Sequence, residues 1–410
     1  MRKQTRRIVQ REDGQTLIMF MLFAVILLAF VGLGVDLGFA YITRAKLSKG
    51  VDAACLAGVR NFSQGTTQAG LVASNAFAAN YGTSGRDVSP PKLTINFGSV
   101  NGNTVLDVNA TVSINTFFIR VLPAIGGANW STLSVGESAE ATRANLIMSL
   151  VLDVSGSMAP PPAGDGGING LKTAVPNFVN QFDDTHDQVA MVTFSDGATT
   201  PVPMTHPFKS TINTAVGSLK GIDWTCSERG LTNGLVQNQN TPITAGENVV
   251  KVIVFFTDGL ANTWYWPGFN CGGRDMAPDK SLYSTNGLCT TNSSGCTVPG
   301  TIAGLSGSVN TSDRCGDMYA EAEARARAVA YLARSESNVV YAIAFSSGYV
   351  ECPTRSSPNI AFLNALANTT NSPYYNSAQP SGDVAVGSSA ADLNDLFQTI
   401  AAKILSRLTK

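Results

Sequence analysis

The sequence predicts a doubly wound α/β domain with a mostly parallel sheet, preceded by a transmembrane helix and a small α+β segment. Three observations predict it. From about residue 144, continuous apolar runs alternate with stretches of helical period, the signature of buried parallel strands covered on both faces. Residues 17–35, "LIMFMLFAVILLAFVGLGV", are apolar or glycine throughout. After Pro90 and Pro91 the pattern changes to a period of two, as half-buried strands require.

The elements divide the chain into four parts. Residues 1–15 form a basic leader carrying Arg2, Lys3, Arg6, Arg7 and Arg11. Residues 16–36 form the membrane span, since nineteen helical residues reach about 28 Å at 1.5 Å each, close to the ~30 Å of a bilayer core. The run exceeds the roughly 7 to 15 residues of a signal-peptide core, which favours a retained anchor. The leader outweighs Arg44, Lys46 and Lys49 on the far side, so the N-terminus is expected in the cytoplasm and the rest beyond the membrane. Asp36, at the outer end of the span, is expected either to pair with another helix, with Gly34 and Gly38 as the close-approach surface, or to snorkel to the interface.

Residues 37–143 form the α+β part. The helix continues outward to about Arg60, a second covers roughly 66–80, and "KLTINFG", "TVLDVNATVSIN" and "LSVGESAEATRA" alternate as strands. So small an antiparallel sheet needs a helix over one face. Residues 144–410 form the α/β domain. Its strands are "NLIMSLVLDVS", "DQVAMVTFS", "VVKVIVFFTDG" and "VVYAIAFS", with "TPVPMTH" an edge strand because its prolines lack N–H donors. Helices are expected at "INGLKTAVPNFVNQF", near 208–220, near 228–239, at "MYAEAEARARAVAYLARSES", at "NIAFLNALAN" and at the C-terminus.

Composition narrows the chemistry. A net charge of −1 gives no general attraction for nucleic acid, and neither nucleic acid nor a small-molecule substrate is expected. Only His186 and His206 are present, both in loop-like settings, leaving little for histidine catalysis or a zinc centre. Cys226, Cys271, Cys289, Cys296, Cys315 and Cys352 match no CxxC spacing and read as disulfides of an exported domain, with the pairing open. Cys55 reads as a small buried apolar residue.

The candidate site lies where "VLDVSGSM" leaves its strand. Ligands in such sheets bind at the carboxyl ends of strands. Asp153 ends one strand and Asp258 another, and "TCSERGL" places Thr225 before a helix. These residues resemble the von Willebrand factor A domain, whose metal-ion-dependent adhesion site has the pattern DxSxS, a threonine from a second loop and an aspartate from a third. The resemblance implies a Rossmann-like fold and a divalent cation, Mg²⁺ or Mn²⁺ with Ca²⁺ a third option. Ser155, Ser157 and Thr225 would coordinate it directly, and Asp153 and Asp258 mostly through water or by holding the hydroxyls. Such an ion keeps net charge and accepts a carboxylate from a protein partner. On the alternative reading, the serines only cap a helix and Asp258 opens a turn.

The family's short loop is replaced by a Cys-rich insertion at about 260–315. Trp264, Tyr265, Trp266 and Phe269 are expected either to form a partner-contacting patch or to be the insertion's own core. Cys226, beside Thr225, is a candidate to tie the insertion to the site.

The stretch from Gly14 through "VDLG" to "DAACLAG" resembles the N-terminal segment of TadG-type proteins of Flp (tight adherence) pilus assembly. Pilin-like precursors carry a glutamate five residues beyond the cleavage glycine, and here that position is Met19, so anchoring is implied rather than cleavage. Together the resemblances imply a single-pass bacterial inner-membrane protein with a periplasmic C-terminal domain, acting with pilus-machinery components. A surface-displayed adhesin binding host or matrix ligands is the alternative. An enzyme is not expected, because "DVSGS" lacks the first glycine of a G-x-S-x-G elbow.

Overall fold

The structure is a computed structural model. It describes residues 13–82, 87–121, 131–264, 317–346 and 358–409, with two short strands in the insertion, β8 (Cys296–Thr297) and β9 (Ser308–Val309). The chain divides into two compact units. The first comprises residues 1–61, 66–98 and 105–141, and the second residues 62–65, 99–104 and 142–410.

In the first unit, α1 runs unbroken from Asp13–Arg60 and α2 covers Thr66–Tyr81. Strands β1 (Lys92–Val100), β2 (Asn103–Asn115) and β3 (Thr132–Arg143) pair in that order. Asn101 and Gly102 join β1 to β2, both at positive φ. A two-residue Asn-Gly loop with that backbone is the hairpin turn whose twist matches antiparallel strands. Leu47, Val51, Ala54, Cys55 and Val59 of α1 meet Ala73 and Phe77 of α2 and Leu106, Val108, Ala110 and Val112 of β2 in one core. Helix and meander thus cover each other as the period change required. The Cys55 thiol donates to the Ala139 carbonyl at 3.1 Å, and burial pushes its pKa to about 11.

Asp36 departs from both expectations. It is 2% exposed, and its carboxylate accepts hydrogen bonds from the backbone N–H groups of Phe117 (3.0 Å), Phe118 (2.8 Å) and Ile119 (2.8 Å). It therefore serves its own unit, neither pairing with another helix nor snorkelling. Gly34 and Gly38 have open space where a side chain would stand.

In the second unit a six-stranded sheet has the order β11-β10-β7-β4-β5-β6. The strands are β4 (Asn145–Asp153), β5 (Gln188–Phe194), β6 (Ala198–Thr205), β7 (Val249–Thr257), β10 (Asn338–Phe345) and β11 (Val384–Gly387). All pairings are parallel except β5 with β6, the proline-bearing edge strand. Every residue of β4 and of β10 is buried, which is why these strands read as continuous apolar runs.

Helices cover both faces of the sheet. On one lie α3 (Gly167–Val179), α4 (Lys209–Gly217) and α8 (Leu393–Leu408), with α8 contributing Leu393, Phe397, Ile400, Ile404 and Leu408 at helical spacing. On the other lie α5 (Ser227–Asn240), α6 (Asp317–Ser335) and α7 (Ile360–Ala367). Polar anchors fix this second face. The Ser149 hydroxyl bonds Asn238 Oδ1 (2.7 Å), and Asn238 Nδ2 donates to the Val252 carbonyl (2.9 Å) and to Asn338 Oδ1 (2.8 Å). Near the start of the unit, Arg143 makes a buried bidentate pair with Asp187 at 2.8 and 2.6 Å.

Trp264 also departs from expectation. It is fully buried and packs with Phe194, Leu231, Phe255 and Ala322, so it is core of the sheet's second face and not a partner-contacting residue. Tyr265, Trp266 and Phe269 lie outside the described residues, as do Cys271, Cys289, Cys315 and Cys352 and hence the expected disulfides to them. Cys226 is buried at the start of α5.

Candidate metal centre

Strand β4 is the first of its sheet, and the chain adds β5 on one side of it and β7 on the other. The crevice at such a reversal, outside the carboxyl ends, is where an open α/β sheet binds ligands. Asp153 closes β4, and Asp258 follows the last residue of β7, its neighbour. Both carboxyls are fully buried.

The turn after β4 is shaped by its own acid. Asp153 Oδ1 accepts from the Ser155 N–H at 2.8 Å, and Oδ2 from the Thr257 hydroxyl at 2.6 Å. Ser155 Oγ lies 3.1 Å from Ser157 Oγ, and Ser157 Oγ donates to Asp258 Oδ1 at 2.9 Å. Two serines at alternate positions and an acid from the adjacent strand are therefore gathered at one place. The Ser155 side chain makes no capping bond to the 3-10 turn Gly156–Met158, which speaks against the capping alternative for that residue. Gly156 suits the close approach: its N–H donates to the Asp223 carbonyl at 2.9 Å, and a Cβ there would stand a tight 3.2 Å from that oxygen.

Thr225 is brought to the same edge by backbone bonds on either side. Ile222 N–H donates to the Val154 carbonyl (2.9 Å), Thr225 N–H to Asn262 Oδ1 (2.7 Å), and Asn262 N–H to the Thr225 carbonyl (3.1 Å). The loop holding Thr225 is thus stitched to the serine turn and to the loop after Asp258. No hydrogen bond joins the Thr225 hydroxyl to the serines or to Asp258 among the described residues.

Asp165 is an acid that the motif did not supply. Its N–H donates to the Ser157 carbonyl at 2.9 Å, and its Oδ1 accepts from the Gly167 N–H at 2.9 Å. Its carboxyl reaches that of Asp258, and its Oδ2 is buried without a hydrogen-bond partner. It is the sole carboxylate between Asp153 and Asp183 and stands among glycines in "AGDGG". That isolation is the signal available in sequence.

Three converging acids, Asp153 and Asp258 fully buried and Asp165 half-buried, alter one another. Burial raises Asp153 to about 6, and it raises Asp165 as well. Asp258 stands well above the ordinary carboxylate range, through burial first and then the charges of Asp153 and Asp165. A cation removes that penalty. The donors are hydroxyl and carboxylate oxygens, the set a hard divalent ion takes. Among the described residues no three His, Cys, Asp or Glu side chains alone form a metal-holding group, so the hydroxyls would have to complete it. With the orphaned oxygen of Asp165, this donor set fits a divalent cation.

The match to a family model agrees with the fold of the second unit. Residues 14–61 match the family described as Flp pilus-assembly TadE/G-like, and residues 148–265 the von Willebrand factor type A domain. No curated protein matches the sequence. Among solved structures, the PilB minor pilin from Streptococcus sanguinis is 16% identical with a TM-score of 0.45, covering 78% of this chain and 79% of that one. The vWF domain of the type V pili tip protein Mfa5 from Porphyromonas gingivalis is 16% identical with a TM-score of 0.42, covering 65% and 97%. Proximal thread matrix protein 1 from the mussel byssus, with a zinc-occupied MIDAS motif, is 18% identical with a TM-score of 0.36, covering 64% and 46%. Residues 16–60 also form a helix long and apolar enough to cross a bilayer, with mean hydropathy 2.9 over its most apolar window. The chain thus matches the TadE/G-like family over residues 14–61 and the von Willebrand factor type A domain over residues 148–265.

Proposed function

We propose that this protein is a single-pass inner-membrane component of Flp pilus assembly or anchoring, whose periplasmic A-type domain holds a protein partner through a divalent cation. The four-part division at residues 15, 36 and 143 belongs to the same proposal. The observation that carries it is the chain from Ser155 through Ser157 to Asp258, closed on the other side by Asp153 and Thr257. Ser155, Ser157 and Thr225 would hold the ion, Mg²⁺ or Mn²⁺ by donor type, with Asp153 and Asp258 orienting the hydroxyls. When bound, the ion supplies a positive coordination position for a partner's carboxylate. Asp153 holds the turn by accepting the Ser155 N–H, and Asp258 fixes the direction of the Ser157 hydroxyl. The role is binding, without a catalytic step.

Cells carrying Asp153→Ala or Ser155→Ala are expected to keep the protein and lose surface pili. Unchanged piliation would overturn the proposal. Protease added to intact cells separates the alternatives, since a periplasmic domain stays whole and a surface-displayed adhesin is cut.

A further inference from the structure

Over residues 16–39, α1 is largely exposed, with one buried spot. Between Val31 and Phe39 the buried residues are Gly32 and Asp36, one turn apart on one face. Both are covered by the segment after β2. A Cβ on Gly32 would stand 2.5 Å from the Phe118 Cβ, so that ring can lie on the helix only where a glycine stands. Asp36 takes the N–H groups of Phe117, Phe118 and Ile119. Gly32 belongs to the uncharged run ending at Val35, and three residues inside that end is about 4.5 Å of helix. If the run crosses a bilayer, Phe118 lies level with the edge of its hydrocarbon.

The segment is suited to that depth. Phe117 is 48% and Phe118 49% exposed. Water would satisfy three amides in a soluble loop, but at the hydrocarbon edge unpaired N–H groups are costly, and here one carboxylate accepts all three. The same bonds stabilise a charge that lipid would disfavour. Arg120 places its guanidinium 5.9 Å from the centre of the Phe117 ring, the arrangement of a long cation reaching headgroups past an apolar neighbour.

We infer that residues 117–120 form a lipid-inserting foot beside the anchor helix, with Phe117 and Phe118 entering the bilayer edge and Asp36 shielding their backbone amides. The inference rests on the membrane-anchor reading and is independent of the metal centre.

The test uses the full chain in phosphatidylcholine vesicles, with Phe117→Trp and Phe118→Trp each compared with the parent. The emission added by the new tryptophan is expected to be lost when the lipid acyl chains are brominated. Added emission that persists while the protein still floats with the vesicles would overturn the foot and leave the anchor standing; it would point to water or a protein on this face. Failure to float would overturn the anchor and the foot with it. Asp36→Ala is expected to speed hydrogen exchange at residues 117–119, and unchanged exchange would contradict the shielding role. Should that variant fail to fold, the tryptophan variants, which keep Asp36, decide alone.

Discussion

Ser157 donates a hydrogen bond to Asp258, Oγ to Oδ1 at 2.9 Å, joining positions 101 residues apart in sequence. The bond links the turn after β4 to the end of β7, so neither residue's contribution is local. Ser157→Ala removes a proposed ligand and frees Asp258 from its orienting donor while keeping the turn's backbone bonds. Groups that orient metal ligands typically change affinity about 10- to 100-fold. Mg²⁺ affinity measured by calorimetry is expected to fall by at least that order, with an unchanged far-UV spectrum.

The acids give the site a pH signature. The folded pKa of Asp153, about 6, lies above its ordinary 3.8, so the fold favours the protonated form. Without a cation its contribution to stability is present in full below about pH 4 and is lost as pH rises through about 6. Asp165 and Asp258 shift in the same direction. A bound cation requires the ionised forms and releases protons. The rise in Tm caused by Mg²⁺, relative to chelator, is therefore expected to grow from roughly pH 5 to pH 7. A rise independent of pH would contradict the placement of these acids around the ion.

Asn238 ties α5 to β7 and to the start of β10 through the Val252 carbonyl and Asn338. Asn238→Ala takes the amide donor from Asn338 Oδ1 and from that carbonyl in a buried place, while Ser149 keeps its bond to the Gly234 carbonyl. Each such group costs about 1–3 kcal/mol. The variant should unfold at lower denaturant concentration, and Asn238→Asp should recover little, since it lacks the amide donor.

Trp264 is core, so Trp264→Ala is expected to destabilise the second unit by about 3–5 kcal/mol. A variant with parental stability and weakened partner binding would restore the contact-patch reading. Denaturant melts with a partner-binding assay on the same sample separate the two.

What could be read in advance follows from where the physical signal is local. β4 and β10 bury every residue, so a bare apolar run locates them. β11 buries Ala385 among only four residues at the sheet edge, and a run so short leaves no pattern. Asp153 and Asp258 were legible because strand order puts them on neighbouring strand ends. Asp165 was not, because it reaches the site through a loop of prolines and glycines without period. Asp36 was misread for a similar reason: its partners lie more than 80 residues away. Trp264 looked like a loop aromatic because its burial depends on helices contributed from elsewhere in the chain.

The most direct test is calorimetric titration of Mg²⁺ and Mn²⁺ into the oxidised full chain in detergent, beside folded Asp153→Ala and Ser155→Ala variants. Saturable binding near one ion per chain that both substitutions abolish is the expected result. A folded parent that binds neither ion, or variants that bind as the parent does, would contradict a metal centre built on Asp153, Ser155, Ser157, Thr225 and Asp258.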